Sequence, residues 1–127
     1  MNANDSIKRY SRQIILKEVG GQGQKLLMKS KVLIIGLGGL GSPVLQYLAA
    51  SGVGTIGLAD NDKVDLSNLH RQIIFSLKDI GSYKVSKAKK FISAVNSDIN
   101  IIPYKKKVDP LNVDKIISEY DIIVDCT

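Results

Sequence analysis

The chain has 127 residues, 44% of them apolar, and no apolar run near the length of a membrane span, so it reads as one soluble, cytoplasmic domain with its own core. A single cysteine, Cys126, excludes an internal disulfide or a cysteine-cluster zinc site within these residues, and the one histidine, His70, adds little toward another metal site. The net charge of +6 favours anionic ligands or partners; the lysines are dispersed apart from small groups around 84–90 and 105–107, no aromatic residues alternate with them, and they read as solvated faces rather than a nucleic-acid surface.

Two short helices are predicted first, over residues 6–16 and 22–29, with Gly20-Gly21 as the break between them. A strand over 32–36 follows, and its consecutive apolar positions suit a parallel strand covered on both faces. Gly36, Gly38, Gly39 and Gly41 then turn the chain into a helix over 39–51, where Leu40, Val44, Leu45, Leu48 and Ala49 recur every three and four residues. Gly36, Gly38 and Gly41 have the G-x-G-x-x-G spacing of a dinucleotide-binding turn. Backbone without Cβ atoms bends sharply and brings its N–H groups against a pyrophosphate, which the positive end of the helix dipole attracts. A tight-packing turn with no ligand would carry the same glycines.

A second buried strand, 55–60, ends in Asp60, nineteen residues past Gly41, where a ribose-binding acid belongs; a solvated strand end or a helix cap is the other reading. The irregular stretch 61–80 is too long for an ordinary connection, which marks it as functional. Helix 82–95, strand 99–105, helix 110–119 and strand 121–125 complete a β-α-β-loop-α-β-α-β order. That order predicts an α/β class: a Rossmann-like, mostly parallel sheet flanked by helices, preceded by the two short N-terminal helices, with ligands at the carboxyl ends of the strands. A strand end on the ligand side normally leads into a loop, so residues 1–127 read as a single nucleotide-binding domain truncated from the N-terminal part of a longer protein.

The polar residues around the irregular stretch suit phosphoryl charge better than a nicotinamide. Arg71 can form two parallel N–H···O bonds to phosphate oxygens, and Lys84 can deliver a point charge beside them, each such bond contributing about 1.5–3 kcal/mol. Asp62 and Asp65 would either help hold Mg²⁺ or cap turns, with capping favoured for Asp65. Cys126, after a buried strand, reads as an inert core thiol.

Arg9-Tyr10-Ser11-Arg12-Gln13-Ile14-Ile15-Leu16, the 36–41 loop, Asp60, Ser67-Asn68-Leu69-His70-Arg71-Gln72, Lys84 and Asp125-Cys126-Thr127 together resemble the ThiF/MoeB/HesA adenylyltransferases, prokaryotic relatives of the ubiquitin-activating enzymes. The resemblance spans nearly the whole chain. It implies an enzyme that binds ATP and adenylates the C-terminal glycine carboxylate of a small ubiquitin-fold sulfur-carrier protein ending in Gly-Gly, of the molybdopterin or thiamine type, releasing pyrophosphate. It implies that Gly39 lies under the phosphates, that Asp60 holds the ribose hydroxyls, and that Asn68, Arg71 and Lys84 bind the triphosphate, with Gly36, Gly38, Gly41, Asp62 and Ser67 completing the nucleotide site.

By the same resemblance Arg12, by default a surface charge, reaches the γ-phosphate region of the partner subunit in a homodimer, which makes Arg12, Arg71 and Lys84 the catalytic candidates. The carrier carboxylate is itself the nucleophile, so the site has to offset the repulsion of two anions and position them. In the family an aspartate that helps bind Mg²⁺ follows the Asp-Cys-Thr sequence. It is not among these residues, nor are the later reactive cysteine and Cys-x-x-Cys zinc ligands, so no metal ligand is assigned and the main Mg²⁺ ligand is expected beyond Thr127. A non-catalytic nucleotide-binding or dimerisation domain is the alternative, and an NAD-dependent oxidoreductase domain is a further one that Arg71 and Lys84 disfavour.

Overall fold

The structure is a computed structural model and describes residues 2–127. Its elements run α1 (Ala3–Ile14), α2 (Gly20–Lys29), β1 (Lys31–Ile35), α3 (Gly41–Ser51), β2 (Thr55–Ala59), α4 (Lys84–Val95), β3 (Asn100–Tyr104), α5 (Val113–Ile117) and β4 (Ile122–Asp125). Short 3-10 turns at Leu66–Asn68 and Leu77–Asp79 interrupt the long connection between β2 and α4. The strands form one parallel sheet in the order β3-β2-β1-β4.

The order of elements matches the periodicity, and the boundaries differ for local reasons. Helix α1 begins earlier than expected because the Asn2 side chain caps it, accepting a hydrogen bond from the Asp5 N–H at 2.9 Å. Gly20 and Gly21, expected as a break, form the first turn of α2. Helix α5 has five residues rather than the expected ten, because the Asp109 carboxylate accepts from the N–H groups of Leu111 and Asn112 and holds the preceding residues in a turn.

Alternation along β1 explains how an unbroken apolar run is used. Val32 and Ile34 face the main core with Leu45, Ala49, Val85, Ala88 and Ile92 of α3 and α4, while Leu33 faces the other side with Ala59 and with Ile116 of α5. Leu33, Ile34, Leu45 and Ile92 are fully buried, each contributing about 1.5–3 kcal/mol of burial free energy.

The N-terminal helices dock at the base of the sheet. There Gln13 donates to Gln24 and to the Ser51 carbonyl (2.6 Å), and Gln24 Nε2 donates to the same carbonyl at 3.1 Å. Asn96 Nδ2 donates to the Tyr10 hydroxyl (2.7 Å) and the Ala49 carbonyl (3.3 Å), and Arg9 Nη1 donates to the Val95 carbonyl (2.9 Å). These side chains satisfy carbonyls at the C-terminal ends of α3 and α4 that the helices themselves leave open.

Candidate functional site

A cleft of about 400 Å³ opens at the carboxyl ends of the strands. Its floor is Ile35 and Gly36 after β1, Ala59 and Asp60 after β2, and Cys126 and Thr127 after β4. The α3 crossover leads from β1 to β2 on one side, and after β3 the chain returns through α5 to β4 on the other side of β1; this reversal of strand order opens a crevice at the strand ends. The glycine turn requires glycine at two points. Gly36 has φ +93°, and a Cβ there would come 2.8 Å from the Cys126 carbonyl oxygen; a Cβ on Gly41 would overlap the Gly36 carbonyl. The loop therefore folds back on itself before α3 starts.

Asp60 ties that loop to the next one. Its Oδ2 accepts from the Leu37 N–H at 2.8 Å and its Oδ1 from the Asp62 N–H at 2.7 Å. A carboxylate oxygen has a second lone pair, so each atom retains acceptor capacity for a hydroxyl in the cleft.

The 61–80 stretch is organised by a capping box. Asp65 accepts from the Ser67 N–H (2.9 Å) and Ser67 Oγ (2.5 Å), and Asn68 Oδ1 accepts from the Asp65 N–H (3.0 Å). The Ser67 bonds hold the Asp65 carboxyl below the usual carboxylate range. One turn later Arg71 Nη1 donates to the Ser67 carbonyl at 3.1 Å, and the Arg71 side chain lies along Gly39, where an added methyl would stand 3.4 Å from its Cδ. This leaves most of the guanidinium donors without a protein acceptor among the described residues.

Lys84 is the first residue of α4. Its N–H donates to the Asp62 carbonyl (3.0 Å), and an antiparallel bridge between Lys63 and Tyr83 holds the approach. Only 5% of Lys84 is exposed, yet its Nζ is 3.9 Å from the Asp62 carboxylate, too long for a hydrogen bond. A buried cation at a helix N-terminus is unfavourably placed against the dipole, and an anion in the cleft would relieve it.

Seven of the residues singled out from the sequence thus line one cleft: Gly36, Gly38, Asp60, Asp62, Asn68, Arg71 and Lys84. Gly39 and Gly41 adjoin it without lining it, through Arg71 and Gly36 respectively. Ser67 turns its hydroxyl to Asp65 and is not in the lining. Arg12 is exposed on the last turn of α1, at the base of the sheet; α3 separates the base from the cleft and its eleven residues rise about 16 Å.

Gln72, Lys107, Val108 and Cys126 also line the cleft. Gln72 is 1% exposed and its Oε1 has no partner among the described residues; its place at the end of the Asn68–Gln72 run was the available signal. Lys107 and Val108 come from the chain beyond β3, and no spacing in the sequence points to them. Cys126, expected in the core, packs partly buried against the main core and also lines the cleft wall, where desolvation and then the Asp125 charge push its thiol pKa up. Hydrogen bonds from Thr127 Oγ1 (2.7 Å) and its N–H (3.1 Å) hold Asp125 below the ordinary carboxylate range. Among the described residues no three His, Cys, Asp or Glu side chains are grouped to hold a metal ion.

A parallel sheet in this order, flanked by helices and with a glycine turn at its carboxyl edge, defines a Rossmann-like α/β domain. The model of the ThiF family matches residues 10–127, and the chain belongs to that family. It is 48% identical over 124 residues to the adenylyltransferase and sulfurtransferase MOCS3 of Xenopus laevis, covering 98% of this chain and 28% of that protein. It is 47% identical over 120 residues to the probable molybdopterin-synthase adenylyltransferase of Gracilaria tenuistipitata var. liui, covering 94% of this chain and 34% of that one. Among solved structures, the E. coli tRNA N6-threonylcarbamoyladenosine dehydratase TcdA in complex with ATP superposes with a TM-score of 0.92 at 25% identity, over 100% of this chain and 52% of that one. The chain spans about a quarter to a third of the length of the curated relatives it matches.

Proposed function

We propose that this chain is the ATP-binding part of an adenylyltransferase that activates the C-terminal glycine carboxylate of a ubiquitin-fold sulfur-carrier protein, in cytoplasmic molybdopterin or thiamine biosynthesis. The observation that carries the reading is the convergence of Arg71 and the buried Lys84 on a cleft floored by the glycine turn. The names of the MOCS3 and molybdopterin-synthase relatives support it, as does the ATP bound by TcdA.

In this reading ATP lies with its ribose on Asp60 and its phosphates above Gly36, Gly38 and Gly39, toward the start of α3. Arg71, Lys84 and Asn68 face the triphosphate, with Asp62 and Ser67 holding their loop. The carrier carboxylate attacks the α-phosphorus; a new O–P bond forms, the bond to the bridging oxygen breaks, and its electron pair leaves with pyrophosphate. Arg71 and Lys84 offset the repulsion between the two anions and stabilise the charge accumulating on the leaving group. No side-chain nucleophile is required. Mg²⁺ would travel with the triphosphate, its main protein ligand lying outside these residues.

Arg12 cannot reach this cleft from the base of its own sheet, which supports its acting on the site of a partner subunit in a homodimer. The test is ATP–pyrophosphate exchange by the full-length protein with a Gly-Gly-ended carrier. Arg71→Ala and Lys84→Met should each lower exchange by about 10- to 100-fold, the loss of one charge-assisted contact, with little change in melting temperature. Exchange unchanged in both variants would overturn the site assignment.

A further inference from the structure

Beside the cleft, the fold assembles a ridge of lysines around one aromatic ring. Tyr83, 37% exposed, stands immediately before Lys84. The Lys63 ammonium lies 5.2 Å from the centre of its ring, and the Lys105 ammonium lies 5.1 Å from the same point. Two residues after Lys105, Lys107 lines the cleft itself, whereas Lys106 lines a separate pocket with Lys115 and Glu119. Lys63, Lys105, Lys106 and Lys107 are all exposed, and among the described residues none of them forms an ion pair.

Lying 5.2 and 5.1 Å from the centre of one ring, the two ammonium groups are at most about 10 Å apart, roughly a Debye length at 0.1 M salt. Holding like charges this close costs free energy in the unbound protein. The cation–π contacts, each worth about 0.5–1 kcal/mol at an exposed site, offset part of that cost and fix the lysine stems in place. An anionic surface docking on the ridge would relieve the rest.

We infer that the ridge formed by Lys63, Tyr83 and Lys105 is a docking surface for an acidic face of the protein partner whose carboxylate enters the cleft. The identity of the partner rests on the reading of the cleft as a carboxylate-activating site. Lys107 joins ridge and cleft, so a polypeptide lying along the one directs its end into the other. Protein fits the ridge better than nucleic acid does. A single-strand platform needs successive aromatic rings with free faces, whereas Tyr83 is the one aromatic of the ridge and its ring already holds two ammonium groups.

The experiment measures binding of a short fluorescein-labelled poly-glutamate peptide to the full-length protein at low and at physiological salt. Lys63→Glu/Lys105→Glu should weaken binding about tenfold or more, and the milder double Lys→Gln change by less. Lys8→Glu/Lys25→Glu, an equal charge change on the N-terminal helices, should leave binding within about twofold. ATP affinity and melting temperature confirm folding in each case.

Equal losses in the two glutamate doubles would overturn the ridge in favour of net charge. Single-stranded RNA of equal charge binding more tightly than the peptide, and lost in the ridge variant, would overturn it in favour of nucleic acid. In pyrophosphate exchange the ridge variant should raise the KM for the carrier while leaving the rate at saturating carrier unchanged; an unaltered KM would overturn the carrier as occupant. Absence of exchange in the unaltered protein would overturn the cleft reading alone, because peptide binding is read without turnover.

Discussion

At the base of the sheet, neutral amides from three helices meet: Gln13, Gln24 and Asn96 direct their donors to one another, to Tyr10 and to the carbonyls of Ala49 and Ser51. At the opposite end charged groups join neutral ones such as Asn68 and Gln72 and face a cleft or solvent: Arg71 uses one donor on Ser67, Lys84 has only a long contact to Asp62, and Lys107 has no ion pair among the described residues. Polar groups satisfied within the protein hold elements together. Charges that the protein leaves incompletely matched are available to a ligand. The division places stability at one end of α3 and chemistry at the other, and Arg12 is a cation on the stability end, exposed and facing away from its own cleft.

The largest effect should come from breaking that last relation. Arg12→Ala should lower pyrophosphate exchange by about 10- to 100-fold, like Lys84→Met. In the proposed homodimer, mixed dimers of the two variants would contain one intact site of two, so purified mixed dimers should recover about half of the activity of the unaltered dimer and an equal mixture about a quarter. No recovery in mixed dimers verified by mass would place Arg12 outside the catalytic site. A smaller effect, confined to stability, is expected at the base. Asn96→Leu leaves the Tyr10 hydroxyl without its buried donor and should cost about 1–3 kcal/mol, several degrees in melting temperature. ATP affinity measured well below that temperature should not change, and a parallel loss of ATP binding would erase the division between the two ends.

The smallest effect concerns pH. The Tyr104 and Tyr120 hydroxyls are 2.8 Å apart, and desolvation, followed by the Tyr104 hydrogen bond, raises the Tyr120 pKa above its ordinary value of 10.0. Folding therefore favours the neutral phenol. That contribution is complete below pH 10.0 and is lost as the pH rises from there through the raised folded value. Urea unfolding should show stability falling across this alkaline range in the unaltered chain and a shallower fall in Tyr120→Phe. Identical slopes would mean that the pair carries no pH dependence.

How much of this was legible beforehand varies by residue. The β1–loop–α3 unit was readable because its signals are local: consecutive apolar residues, glycines at set spacing, and a three-and-four repeat. Asp60 was readable from its distance to that loop, and Asp65 from turn chemistry alone. Helix α5 came out short because the cap at Asp109 overrides an apolar pattern that would otherwise extend it. The lysines around 105–107 read as solvated faces because the aromatic ring that organises them, Tyr83, lies about twenty residues away in sequence. Gln72 belonged to a noticed run, but only packing reveals that its amide oxygen is buried without a partner.

The sequence by itself determined the order of elements, the glycine turn and the cationic residues of the loop, because each depends on chemistry within a few residues along the chain. Tertiary structure alone decided which of those residues share a cleft, which end of the sheet carries Arg12, and that Lys63, Tyr83 and Lys105 meet. Those relations depend on strand order and register, where hydrogen-bonded neighbours such as Ile35 and Asp125 lie far apart in the chain.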